Sequence, residues 1–350
     1  MNASKAVKCL RIIAFLFLSL LIQGCVKKLN KPIISSIYTA DPSAHVFNGR
    51  LFVYPSHDLA KDKYYADQKN GDQYDMDDFH VLSMDSIVSE AVDNGEALNV
   101  KDVPWASRQM WAPDAAFKNG IYFLYFPAKD INGIFRIGVA TGKSPVGPFK
   151  ANPEPIEGSF SIDPAVFTDD DGKTYMLFGG LWGGQLEKWQ TGSYDTNAPE
   201  PTGQSPALGP RIALLDESMK AINGKIREIS ILGEKGLPLT AADEDRRFFE
   251  GIWLHKYKGL YYLSYSTGTT HFLVYATSTN PLGPYTYRGQ ILDPVLGWTT
   301  HHSIVEYQGK WYLFYHDASL SDGIDTLRCV KVSELFHEND GSIRKVSQYR

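Results

Sequence analysis

Five stretches of the chain share one pattern of polar and apolar positions. Each begins on a polar or charged residue or one beside it, runs eight or nine positions to a glycine turn, and continues into a strand in which aromatic and aliphatic residues alternate. The first runs from Asp41 through Asn48-Gly49 into Leu51-Phe52-Val53-Tyr54, and the second from Trp111-Ala112-Pro113-Asp114 through Asn119-Gly120 into Tyr122-Phe123-Leu124-Tyr125. The third starts at Ile162-Asp163-Pro164 and turns at Asp171-Gly172, and the fourth starts at Phe249-Glu250-Gly251 and turns at Lys258-Gly259. The fifth starts at His301-His302 and turns at Gln308-Gly309 before Trp311-Tyr312-Leu313-Phe314-Tyr315. Two alternating runs joined by such a tight turn predict a β-hairpin.

The repeats start at 41, 112, 163, 250 and 301, so the spacings are 71, 51, 87 and 51 residues, each one four-stranded blade with loops of varying length. The pattern predicts an all-β, five-bladed β-propeller. Lys143-Ser144-Pro145-Val146-Gly147-Pro148-Phe149 is echoed by Thr279-Asn280-Pro281-Leu282-Gly283-Pro284-Tyr285, which places both as links into an outer strand. The gap after Phe178 is rich in Gly, Pro and polar clusters. It predicts loops over one face, with a short helix at Glu217 to Ile222.

The N-terminus departs from this pattern. Lys5, Lys8 and Arg11 precede an almost unbroken apolar run of eleven residues, Ile12 to Ile22. That is too short for a bilayer core, which needs roughly 20 residues, and has the order of an export signal. Leu21-Ile22-Gln23-Gly24-Cys25 resembles a bacterial lipobox, which implies cleavage before Cys25 and lipid on its sulfur; a plain secretory signal is the alternative. The reading divides the chain into a signal at 1–24, a tether at 25–32 and a propeller at 33–350, anchored to a bacterial cell envelope by lipid. Cys9 leaves with the signal and Cys25 is acylated, so Cys329 stands alone and the mature domain has neither a disulfide nor a cysteine metal site. Losing residues 1–24 takes the formal net charge from -5 to -8, which excludes a nucleic-acid footprint.

Radial repetition aims the start of every innermost strand at the mouth of one central channel. Asp41, Asp163, Glu250 and His301 therefore converge there, with Trp111, Ala112 and Asp114 on the second blade. Asp and Glu are depleted in strands, and clustering three carboxylates is costly unless their charge is used. Three acids beside aromatics, without a nucleotide, HExxH, CxxC or nucleophile-elbow motif, suggest glycoside hydrolysis. Asp75, Asp77 and Asp78 lack the spacing of a calcium loop and read as a solvated turn, while His45 and His57 read as surface or core histidines.

The phrases Ala40-Asp41-Pro42, Ser161-Ile162-Asp163-Pro164, Phe249-Glu250-Gly251 and His301-His302-Ser303-Ile304-Val305, in that order, resemble glycoside hydrolase family 43 over about residues 35 to 335. Leu181-Trp182-Gly183-Gly184 is similar to its β-xylosidase and α-L-arabinofuranosidase branch. The resemblance implies an inverting hydrolase with Asp41 as general base, Glu250 as general acid and Asp163 orienting the acid and raising its pKa. Inversion requires roughly 6.5 to 9.5 Å between the two carboxyls. Arg328 matches the family's arginine that contacts base and substrate, placed here on an inner strand of the last blade; a solvated strand-end charge is the alternative. His301 matches a histidine near a structural calcium, Ca2+, in the channel; a hydrogen bond within the channel, made by His301 or His302, is the alternative. Trp111 reads as a wall on which a sugar stacks, or else as a core aromatic.

The partner implied is a xylo- or arabino-oligosaccharide. Enclosure by the Leu181 to Arg246 insertion predicts exo action, with release of xylose from xylo-oligosaccharides. Cleavage of α-L-arabinofuranosides is the rival activity. A sugar-binding propeller without catalysis is the alternative outside enzymes, disfavoured because all three acids are present.

Overall fold

The computed structural model describes residues 31–60, 71–298 and 301–348. The expected signal and Cys25 lie outside them.

Among the described residues, twenty strands form five sheets around a common axis, antiparallel but for one pair in blade four. Blade one contains β1 (Tyr38–Phe47), β2 (Arg50–Asp58), β3 (Asp78–Met84) and β4 (Val92–Asn99). Blade two contains β5 (Asp114–Lys118), β6 (Ile121–Lys129), β7 (Phe135–Gly142) and β8 (Lys150–Ala151). Blade three contains β9 (Ala165–Thr168), β10 (Thr174–Phe178), β11 (Arg211–Leu214) and β12 (Arg227–Glu228). The chain then adds β13 (Ile231–Leu232) in parallel to the outer edge of blade four, which holds β14 (Glu250–Tyr257), β15 (Leu260–Ser266), β16 (Leu273–Ser278) and β17 (Tyr285–Leu292). Blade five has three strands, β18 (His302–Tyr307), β19 (Lys310–Asp317) and β20 (Cys329–Leu335). The five-bladed expectation holds, and the hairpin glycines Gly49, Gly120, Gly172, Gly259 and Gly309 all take the positive φ that such turns require.

Two expectations need correction. The stretch after Phe178 is not loop alone, because β11 and β12 lie within it and supply blade three's outer half. Glu217 to Ile222 is not a helix: the Asp216 carboxylate accepts from Ser218 and from the Lys220 and Ala221 amides, and Leu215 bridges Ile222. An acceptor on the residue before a candidate first turn closes a turn as readily as it starts a helix.

Side chains from facing blades make the core. Between blades one and five, Ala44, Leu51, Val53, Tyr312, Phe314 and Val330 form one continuous apolar cluster. The ring closes at this seam. Ile33 donates its amide to Val330 O at 2.9 Å and accepts from Ala91 N at 2.8 Å, while Thr39 N donates to Arg328 O at 2.9 Å. A strap ahead of β1 therefore joins the first blade to the last.

Candidate active site

The three hub acids share a local device. The β1–β2 register shifts between Ala40 and Ser43, and Asp41 has φ +48°. The β14–β15 register shifts between Glu250 and Trp253, where Gly251 has φ +67°. Asp163 has φ +58° just ahead of β9. Such irregularities re-aim a side chain out of the pleat. A Cβ on Gly251 would lie 3.3 Å from Ser266 Oγ and 3.4 Å from His301 Cδ2, so the turn beside Glu250 has little room for another residue.

Asp41, Asp163, Glu250, His301, Trp111 and Arg328 all line one cavity of about 270 Å³. That is at the small end of the range for small-molecule sites, roughly 300–1,000 Å³.

The acids sit in different electrostatic surroundings. Asp41 Oδ2 accepts from Ser56 Oγ at 2.7 Å and Oδ1 from Arg328 Nη1 at 3.1 Å, while its amide donates to His316 Nδ1 at 2.9 Å. Burial pushes the Asp41 carboxyl up, but the charges of Arg328, His316 and His301 and the Ser56 hydrogen bond overcome it and hold the group at about 2. Glu250 is half-buried. Burial and the nearby Asp163 and Asp41 carboxylates push it well above the ordinary glutamate range, against Arg328. Asp163 Oδ2 accepts from Gly251 N at 2.8 Å, which ties it to the backbone beside Glu250. Burial raises Asp163, His301 and the Gly251 amide oppose, and Asp41 adds to the rise, leaving it at about 6. The surroundings thus favour the charged form of Asp41 and the protonated form of Glu250. These are the states a base and an acid need.

Among the charges near Glu250, the Asp163 carboxylate does most to raise it. Asp163→Asn removes the anion that keeps Glu250 protonated, so Glu250 ionises at lower pH. The alkaline limb of kcat/KM is expected to move to lower pH; an unchanged limb would count against this modulating role.

Arg328 precedes β20, the third strand of blade five, and is not on an inner strand. It reaches the hub because β1 runs beside β20 at the seam. Its guanidinium forks onto Asp58, Nε to Oδ2 at 2.9 Å and Nη2 to Oδ1 at 2.8 Å, and lies 4.9 Å from the centre of the Tyr74 ring. Trp111 is both wall and core: it lines the cavity at 8% exposure, packs on Phe135 and donates Nε1 to Tyr74 O at 2.7 Å.

Asp114 stays out of the cavity. Its carboxylate is held by Ser43 Oγ, by His45 Nε2 at 2.6 Å and by Val166 N at 2.5 Å, which joins blades one, two and three. Asp78 is not a solvated turn residue. It accepts from His57 Nδ1 at 2.7 Å and lies 3.7 Å from His80 Nε2, which fastens the start of β3 to the end of β2.

His301 Nδ1 lies 3.9 Å from Asp41 Oδ1 and 4.0 Å from Asp163 Oδ1. Calcium takes six to eight oxygen ligands. Among the described residues beside His301, the Asp41 and Asp163 carboxylates could offer four oxygens at most, three of them already accepting a hydrogen bond, so a calcium there would need water to fill its shell. No chemical step is assigned to it.

Sequence reasoning did not find Ser56, Asp58, Tyr74, Trp298 or His316. The β-hairpin register carried a signal for two of them, since a turn at Asn48-Gly49 brings Ser56 and Asp58 opposite the start of β1, and the shift between Ala40 and Ser43 then sets them opposite Ala40 and Tyr38.

The sequence model described as Glycosyl hydrolases family 43 matches residues 60–343. The chain belongs to glycoside hydrolase family 43. As a family 43 glycosidase it is 60% identical over 321 residues to a xylosidase/arabinosidase 43A of Humicola insolens, covering 89% of this chain and 98% of the relative. It is 52% identical to a xylosidase/arabinosidase of Bacteroides ovatus, over 87% of this chain and 94% of that one. Among solved structures, a β-xylosidase/α-arabinofuranosidase of this family from a compost microbial metagenome, in complex with xylotriose and calcium-free, superposes with TM-score 0.90 at 59% identity, covering 92% of this chain and 98% of that chain. A Xanthomonas citri family 43 enzyme complexed with xylotriose gives TM-score 0.86 at 53% identity, covering 93% and 95%.

Proposed function

We propose that this glycosidase is an inverting, exo-acting β-1,4-xylosidase that releases xylose from xylo-oligosaccharides, with α-L-arabinofuranoside cleavage as a lesser activity. The reading is carried by two acids in unlike surroundings on one small cavity: Asp41 bonded to Arg328 and Ser56, which favour its charged form, and Glu250, whose burial favours its protonated form. Glu250 protonates the leaving oxygen, Asp41 takes a proton from the attacking water, and Asp163 tunes and orients Glu250. Arg328 keeps Asp41 charged and faces the sugar beside it. The relatives named for xylosidase and arabinosidase activity, and those solved with xylotriose, support the pentose class.

Product analysis on xylotriose, linear arabinan and arabinoxylan tests the substrate. Xylose released stepwise from xylotriose is the expected result. Internal fragments from arabinan, or arabinose alone from arabinoxylan with xylobiose untouched, would overturn it.

The same proposal places the enzyme on the bacterial envelope, tethered through lipid on Cys25 by residues 25–32. Support comes from the basic, apolar and Gly-Cys order at the start of the chain. Cys25→Ser should release the protein from the membrane fraction with its specific activity intact. Unaltered protein found free in the periplasm would refute the anchor.

A further inference from the structure

Blade one carries a second group of chemistry-bearing side chains, apart from the hub acids. His57 lies near the end of β2, and Asp78 and His80 open β3. One donor atom from each lies within 4.8 Å of the other two. The two imidazoles have ring centres 4.4 Å apart, and their side chains are only 14% and 15% exposed.

Strand geometry explains the grouping. Asp78 and His80 are two positions apart and share one face of β3, while Phe79 and Val81 pack into the core from the other. Counting on from Val53, which is opposite Leu82, brings His57 level with Asp78. The β3–β4 register shifts on both sides of His80, between Phe79 and His80 and again between His80 and Leu82. Such irregularities re-aim a side chain, and the His80 ring is set between two carboxylates.

His80 is the decisive residue. Its Nδ1 donates to Asp93 Oδ1 at 2.9 Å and Oδ2 at 3.0 Å, and Asp93 Oδ1 is itself fixed by Gly95 N at 2.8 Å. That leaves Nε2 facing Asp78 Oδ2 at 3.7 Å, while His57 Nδ1 meets Asp78 Oδ1 at 2.7 Å. A carboxylate on the far nitrogen is the arrangement that fixes the tautomer of a metal-ligating histidine and makes its near nitrogen a better donor. Tetrahedral zinc holds nitrogen and oxygen donors at about 2.0–2.2 Å, which sets them roughly 3.3–3.6 Å apart. The 3.7 and 2.7 Å separations straddle that span, so closing on an ion asks for little movement. The competitor is a proton: the Asp78 carboxylate and, after it, Asp93 outweigh burial and lift His80 to about 9, so a metal must displace that proton.

We propose that His57, Asp78 and His80 form a binding site for a zinc-type divalent ion, with water as the remaining ligand and Asp93 as the positioning residue for His80. Imidazole with carboxylate suits zinc and its transition-metal neighbours, whereas calcium and magnesium take shells of oxygen. The role is structural. The ion clamps the end of β2 to the start of β3. Those ends carry Ser56 and Asp58, which hold Asp41 and Arg328, and adjoin Met76, which lines the cavity. The site is separate from the position beside His301 and does not depend on the β-xylosidase reading.

The test is titration of the untagged protein with Zn2+. Calorimetry should show an equivalent that binds here, and X-ray absorption at the zinc edge should show two imidazole nitrogens on the ion. At a hundredfold excess over its dissociation constant, Zn2+ should raise the melting temperature by about 3 °C. Asp93→Asn should weaken this binding about 10- to 100-fold, as loss of a supporting carboxylate does, and His80→Gln should abolish it. Far-UV circular dichroism checks that both variants fold; if His80→Gln does not, Asp93→Asn and the absorption spectrum of the parent still decide. Zinc held equally well by the parent and Asp93→Asn, bound zinc without two imidazoles, or no binding by the parent at millimolar Zn2+ would each overturn the site.

Discussion

Glu250→Gln and Asp41→Asn are each expected to lower turnover of xylotriose by two or more orders of magnitude without loss of the fold. Removing a positioned acid or base costs about 10²- to 10⁴-fold. Both substitutions keep the side chain's shape, and the bonds from the Asp41 amide to His316 and from the Gly251 amide to Asp163 remain to hold the local backbone. The two variants should part company on β-D-xylosyl fluoride. Fluoride leaves with little help from an acid, so Glu250→Gln should recover much of its rate, whereas Asp41→Asn still lacks the group that activates water. Near-native hydrolysis of xylotriose by either variant would remove the assignment. Recovery of Asp41→Asn in place of Glu250→Gln would exchange the two roles.

Arg328→Ala should have the second largest effect, and it reaches stability as well as rate. The guanidinium is shared between Asp58, 3% exposed, and Asp41, 8% exposed. Breaking a buried ion pair from one side leaves an uncompensated charge and costs roughly 3–5 kcal/mol. Burial already raises Asp58 above the ordinary range even against the pull of Arg328, so protonation of Asp58 offers partial relief at low pH. For Asp41 the sign is clear: without its principal cation its carboxyl rises, and a higher pH is needed to keep the base ionised. Denaturant melts should show the destabilisation. Rate profiles should show the loss of activity growing as the pH falls. A variant with unaltered stability and an unaltered acid limb would mean that Arg328 neither braces the seam nor charges the base.

What the sequence made legible follows from the hairpin. A turn glycine at fixed distance from a polar start is a local feature, and five copies place Asp41, Asp163, Glu250 and His301 together without any knowledge of packing. Outer strands are different. β11 and β12 have four and two residues, too short for alternation to show, so blade three's outer half passed for loop. Asp78 was misread because its partners are His57 on the neighbouring strand and His80 two positions on, and a run of acids looks solvated until those imidazoles are placed. Trp298 lies in a segment without repeat partners, and its place beside Trp182 is visible only in the fold. Register counting from Asn48-Gly49 would have reached Ser56 and Asp58, but nothing local announces that Arg328 returns to meet them.

The seam has a consequence for the order in which the protein can mature. Asp41 and Arg328 are 287 residues apart in sequence, and the Val330 amide meets Thr39 Oγ1 across 291. Hairpins form from local contacts as the chain is made, but contacts of such span form late, because the intervening chain must first be gathered. A nascent polypeptide lacking its last blade can thus hold four folded sheets and the Glu250 side of the cavity while its general base has no arginine beside it. Catalytic competence is expected to arrive with the end of the chain, and a chain cut short before Arg328 is expected to be silent however well its earlier blades have folded.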